Sequence, residues 1–130
     1  MQSAEFGMKN ESERGENLKE RTKQSALRII KFVERLPKTN TTRVIGGQIV
    51  KSGTSVGANY RASCRARSTA DFISKMGIVE EEADECLYWL ELLVAAGLVT
   101  LDEASPLMDE ANQLLSIAVS SIKTARKHKA

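Results

Sequence analysis

The chain has 130 residues, with 19 Lys and Arg, 17 Asp and Glu, one His and two Cys. That length fits one domain with one core. A net charge of +2 excludes polyanion binding by bulk charge alone. A single His, His128, removes His-based triads and di-iron sites, and 5% aromatics with two prolines is thin for a β-sandwich.

Residues 1–13 are mainly polar, lack apolar periodicity, and are expected to form a flexible N-terminal segment ahead of a domain over 14–130. Met1 to Asn17 holds no apolar core of a secretion signal. No apolar run reaches the ~18–20 residues of a membrane span. The expected compartment is a reducing cytoplasm away from membranes, with Cys64 and Cys86 as free thiols.

The first predicted helix covers 14–35. Leu18, Thr22, Ser25, Ile29, Phe32 and Leu36 fall at alternating steps of four and three, one helical face, and Ala26, Ile30 and Val33 widen it. Pro37 ends it, because the residue before proline is pushed out of the α region.

The second, near 42–66, contains Gly46, Gly47, Gly53 and Gly57. Four interior glycines cost ~2–4 kcal/mol against alanine, so something must compensate. Gly46, Val50, Gly53 and Gly57 share one stripe, which predicts a close approach of another backbone. A second stripe through Ile49, Ser52, Val56, Asn59 and Ser63 turns polar toward its end. With Ser55 it reads either as a ligand pocket or as a buried network that fixes register. The helix is therefore expected to pack on more than one side.

The third, 69–96, is the strongest signal. Phe72, Met76, Val79, Ala83, Cys86, Leu90 and Leu93 run four-three-four-three-four-three and lead to Gly97. Ser68-x-x-Asp71 is a capping arrangement, and Gly97 stands where a left-handed C-cap falls. The fourth, 102–126, opens on a capping box, Thr100-x-x-Glu103, and places Ala104, Met108, Ala111, Leu115, Ala118 and Ile122 inward. Lys123, Arg126, Lys127 and Lys129 suit the negative pole of its macrodipole. Four rods of roughly 33–42 Å with short connections predict an all-α, antiparallel up-down four-helix bundle.

Charge is distributed in blocks. Residues 41–67 carry Arg43, Lys51, Arg61, Arg65 and Arg67 and no acid; residues 68–97 carry Lys75 against seven acids. Lys51, Arg61, Arg65 and Arg67 are the candidate phosphate contacts for RNA or DNA. Salt bridges to the acidic third helix, in the same or a neighbouring subunit, satisfy the same charges. Tyr60 is the only nearby aromatic, which leaves single-strand stacking poorly supported. Glu80, Glu81, Glu82, Asp84 and Glu85 resemble fragments of a carboxylate–magnesium site. The matching pair on another helix is missing, since Asp102-Glu103 and Asp109-Glu110 have the wrong spacing. No catalytic residue, metal or cofactor is therefore assigned. Trp89 reads as core, packed rim or oligomer contact.

Gln48–Arg61, Arg65–Phe72, Lys75 and Glu82–Leu90, with Asn17–Lys23 and Leu36-Pro37-Lys38, resemble the four-helix-bundle proteins related to those encoded in intervening sequences of 23S ribosomal RNA genes. The resemblance spans about residues 17–125. It implies an antiparallel bundle that assembles into a cyclic homo-oligomer, often a pentamer. It also implies kinship with accessory proteins of diversity-generating retroelements that bind nucleic acid through basic surfaces. Where many members carry an acid after the Asn-Tyr-Arg stretch, this chain has Ala62 and Ser63, so Arg61 and Arg65 lack an obvious local partner. The resulting expectation is a non-enzymatic assembly, with Gly46, Gly53, Gly57 and Trp89 at close-packing or oligomer contacts. The alternatives are a purely structural protein–protein module and a magnesium enzyme.

Overall fold

The structure, a computed structural model, describes residues 11–128. Four helices follow one another: α1 Glu11–Glu34, α2 Asn40–Ser63, α3 Thr69–Ala95 and α4 Leu101–Lys127. Among the described residues there is no strand. At 1.5 Å per residue the 24- and 27-residue helices are about 36 and 40 Å long. Each pair is joined by a short loop, and consecutive helices pack on each other as antiparallel neighbours. The expected up-down bundle is what the chain forms. Of the segment expected to be flexible, residues 1–10 lie outside the described residues, as does Lys129, while α1 already begins at Glu11.

Local chemistry sets the ends. After α1, Arg35 and Leu36 bond three residues back, to Phe32 and Val33, and Pro37 stops the turn. Thr39 then caps α2. Its hydroxyl accepts from the Thr42 N–H at 3.2 Å while Thr42 accepts from the Thr39 N–H at 3.1 Å. This threonine pair starts α2 two residues before the predicted 42. Ser68 caps α3 by accepting from the Asp71 N–H at 3.0 Å. At the other end Gly97 takes φ +73°. The Leu98 N–H then reaches the Leu93 carbonyl and the Gly97 N–H that of Val94, both at 3.0 Å. Thr100 and Glu103 close the predicted capping box on α4.

The core has two storeys. The first draws on all four helices and the last loop: Ile29 and Leu36, Ile49, Cys86, Leu90 and Leu93, Val99, and Ala104 with Leu107. The second holds Val56 from α2, Met76, Val79 and Ala83 from α3, and Leu114, Ala118 and Ile122 from α4. Among the described residues none of its buried apolar side chains comes from α1. The predicted seam of α3 is buried from Met76 to Leu93. On α4 the centre of the buried stripe is Leu107 and Leu114; Met108 and Leu115, predicted there, are half-buried flanks. Ile30, predicted to widen the α1 stripe, is 39% exposed.

Among the described residues α1 buries Thr22 and Ile29 against α2, and Leu36, just past its end, continues the line at the same interval of seven. Here the glycine stripe is explained. A Cβ on Gly46 would stand 3.0 Å from Val33, one on Gly53 3.0 Å from Ile29, and one on Gly57 3.1 Å from the Thr22 hydroxyl. The close approach is made by α1 of the same chain. The expected part of this stripe in assembly is corrected accordingly, because α1 already fills it. Gly47 is off the stripe, and a Cβ there would meet nothing within 4 Å.

α1 and α4 touch little, and their seam is polar. Arg21 donates to both oxygens of Glu110 at 2.8 Å and to Gln113 at 2.7 Å, and Arg28 stands 3.7 Å from Glu110. The hydrogen bonds from Arg21 hold the Glu110 carboxyl below the usual carboxylate range, against its partial burial.

Candidate nucleic-acid interface

α2 carries its cations on the side away from the core. Lys51 and Arg61 are exposed, and Arg65 and Arg67 are exposed in the loop that follows. None of the three arginines forms an ion pair among the described residues; the pairs there are Arg21–Glu110, Arg28–Glu110 and Lys75–Asp71. The Arg67 N–H donates to Asp71 at 3.3 Å. Bonds from Lys75 first, then from that N–H, hold the Asp71 carboxyl low. Pairing of the basic block with the acidic helix of the same chain, one of the two expected satisfactions, is limited to Arg67, whose N–H and charge act on Asp71; among the described residues Arg61 and Arg65 make no ion pair.

Lys51 stands apart from them. It is ten residues from Arg61, about 15 Å along the helix. Its charge acts on Glu82 of α3. That carboxyl is nevertheless pushed up, first by partial burial and then by Glu85 and Glu81, which outweigh Lys51.

The up-down topology brings further cations to the end of the bundle that holds Arg61, Arg65 and Arg67. The C-terminus of α4 lies at that end, with Lys123, Arg126 and Lys127 exposed. Sequence spacing could not join these groups, which are about sixty residues apart.

The polar stripe of α2 is not a pocket. Ser52, Ser55 and Asn59 bond the carbonyls of Gln48, Lys51 and Ser55, each four residues back on their own helix, at 2.8, 2.6 and 2.9 Å. Burial, only partly offset by the fully buried Ser52 hydroxyl across on α2, pushes the Cys86 thiol up to about 11. Cys64 is exposed.

Among the described residues no three His, Cys, Asp or Glu side chains converge as a metal site. No helix there is long and apolar enough to cross a membrane. Trp89 is half-buried against the upper core storey, with its ring edge-on to Tyr88 at 5.2 Å.

Comparison with known proteins points one way. The model of a family described as 23S rRNA-intervening sequence protein matches residues 17–120. Among solved structures, a protein with unknown function from the S23 ribosomal protein family of Bacteroides thetaiotaomicron is similar, with 35% identity and a TM-score of 0.76. The match covers 81% of this chain and 97% of that one. No curated protein matches the chain.

Proposed function

The chain belongs to the 23S rRNA-intervening sequence protein family, and we propose that it is a non-enzymatic cytoplasmic bundle that assembles with copies of itself and binds RNA or DNA through one basic end. The observation that carries this reading is the set of three exposed arginines, Arg61, Arg65 and Arg67, with no carboxylate in ion-pair contact among the described residues. Lys123, Arg126 and Lys127 of α4 add to the same end. Phosphate contacts need mobile, unneutralised cations and little else. Among the described residues no fully exposed aromatic lies there, which favours backbone contact over base stacking. Lys51, at mid-height beside Glu82, is not one of the proposed phosphate contacts.

The test is binding of duplex and single-stranded RNA and DNA as a function of salt. Each phosphate contact made to a duplex contributes about −0.9 to the slope of log affinity against log salt. Arg61→Gln, Arg65→Gln and Arg67→Gln together are expected to flatten that slope by about 2.7. A slope near zero for the unmodified protein, or an unchanged slope in the triple variant, removes the proposal.

The purely structural alternative has its own support. The outward side of α3 is acidic, with Glu81, Asp84, Glu85 and Glu91 exposed, and none of them is ion-paired among the described residues. That side repels phosphates and suits a protein.

A further inference from the structure

Two outward stripes of opposite sign lie on adjacent helices. On α2, Arg43, Gly47, Lys51, Thr54, Ala58 and Arg61 follow at steps of four, four, three, four and three. The stripe carries cations, no acid, and short side chains between them. On α3, Gly77, Glu81, Asp84, Tyr88 and Glu91 follow at four, three, four and three, with acids and no cation. Every one of these residues except Thr54 and Gly77, both half-exposed, is exposed.

The register inside the chain fixes the height of each residue. Lys51 acts on Glu82, Ser52 acts on Cys86, and α2 turns into α3 between Ser63 and Thr69. α2 and α3 are antiparallel, so Lys51 lies level with Asp84 and Gly47 level with Tyr88. Arg43, about 12 Å further along, lies level with Glu91. Now stand a second copy beside the first, at the same height, so that α3 of one meets α2 of the other. Arg43 faces Glu91, Lys51 faces Asp84, and Thr54 faces Glu81. The largest side chain of the acidic stripe, Tyr88, is 52% exposed and faces Gly47, where nothing lies within 4 Å of a Cβ. Charge matches at two of these positions and size at a third between them, with the neutral Thr54 opposite Glu81.

We propose that these two stripes are the halves of a contact between copies of this chain, the Arg43–Thr54 edge of α2 docking on the Glu81–Glu91 edge of α3. The proposal rests on the reading that the protein assembles with itself. The two halves differ, so the contact is head-to-tail and each copy uses both. Arg61 and Arg65 lie level with Ser74 and Ala70, beyond the acids, so the contact leaves the basic end unneutralised.

The test is the solution mass of the nuclease-treated full chain, by light scattering and native mass spectrometry. Asp84→Lys/Glu91→Lys makes both stripes basic; Arg43→Glu/Lys51→Glu makes both acidic. Each double variant is expected to be a single copy with unchanged helical circular dichroism. An equimolar mixture of the two is expected to recover multi-copy mass. Gly47→Leu, which meets nothing in its own chain, is expected to block assembly without changing charge. A single-copy unmodified protein overturns both the assembly reading and this contact. A multi-copy protein that withstands both reversals, or reversed variants that do not recover on mixing, overturns this contact and leaves assembly standing.

Discussion

Replacing Gly53 by Ala separates the two roles a glycine can play in α2. Alanine gains about 1 kcal/mol of helix propensity wherever it replaces an interior glycine. At Gly53 the new methyl would lie 3.0 and 3.1 Å from Ile29 Cγ2 and Cγ1. Ile29 is 3% exposed and β-branched in a helix, so its χ1 rotamer is stiff and α1 itself must yield. Such overpacking costs about 1–3 kcal/mol. The net change for Gly53→Ala therefore runs from near zero to about 2 kcal/mol destabilising. Gly47→Ala, on the same helix with nothing within 4 Å, is expected to stabilise by about 0.5–1 kcal/mol. The difference between the two cancels propensity and reads the contact alone, about 1–3 kcal/mol. The assay is urea unfolding followed by circular dichroism, in high salt and at low concentration so that single-chain stability is measured. Ile29→Ala removes both Cγ1 and Cγ2, so in a double-mutant cycle Gly53→Ala should lose its contact cost in that background. Equal stabilisation at both sites would refute the close approach of α1 to α2.

Glu110→Gln is expected to cost about 1 kcal/mol, because Arg21 loses a bidentate partner on a partly exposed seam. The Glu110 carboxyl is depressed in the folded protein, so its contribution is present above its unfolded pKa and fades as pH falls through the folded one. In urea melts the gap between variant and unmodified protein should therefore close in acid and persist at neutral pH. Gly97→Ala forces a methyl into φ +73° and should cost about 1 kcal/mol, read as a lower urea midpoint with unchanged slope. A thiol reagent at pH 8 should modify one cysteine in the native chain, Cys64, and a second only on unfolding, since Cys86 is buried and its thiol is pushed up to about 11.

The parts legible from the sequence are those whose cause is local or periodic. The α3 seam, the caps at Ser68 and Thr100, the turn at Gly97 and the stop at Pro37 each need only a few neighbouring residues. The glycine stripe announced a close neighbour, yet a missing side chain carries no address, and α1 of the same chain proved to be the occupant. On α4 an apolar stripe wide enough for two neighbours has an ambiguous centre, so Leu107 and Leu114 displaced Met108 and Leu115. Ile30 stayed exposed because α1 is scarcely covered by α4. Arg21–Glu110 joins residues 89 apart, beyond any local pattern. The basic block and the want of a local partner for Arg61 and Arg65 were plain in the sequence; that the neighbouring acidic helix leaves them without an ion pair among the described residues was not.

Among the described residues α1 enters the core on a thin line, Thr22 and Ile29 with Leu36 just past its end, and adds nothing to the apolar cluster of the lower storey. Its backbone amides should therefore be the first of the four rods to exchange with heavy water, through partial openings that leave the other three intact. Such an opening bares Gly53 and Gly57 as a bare-backbone trough along α2. The molecule behaves as a sturdy three-rod frame with a fourth rod laid into its groove.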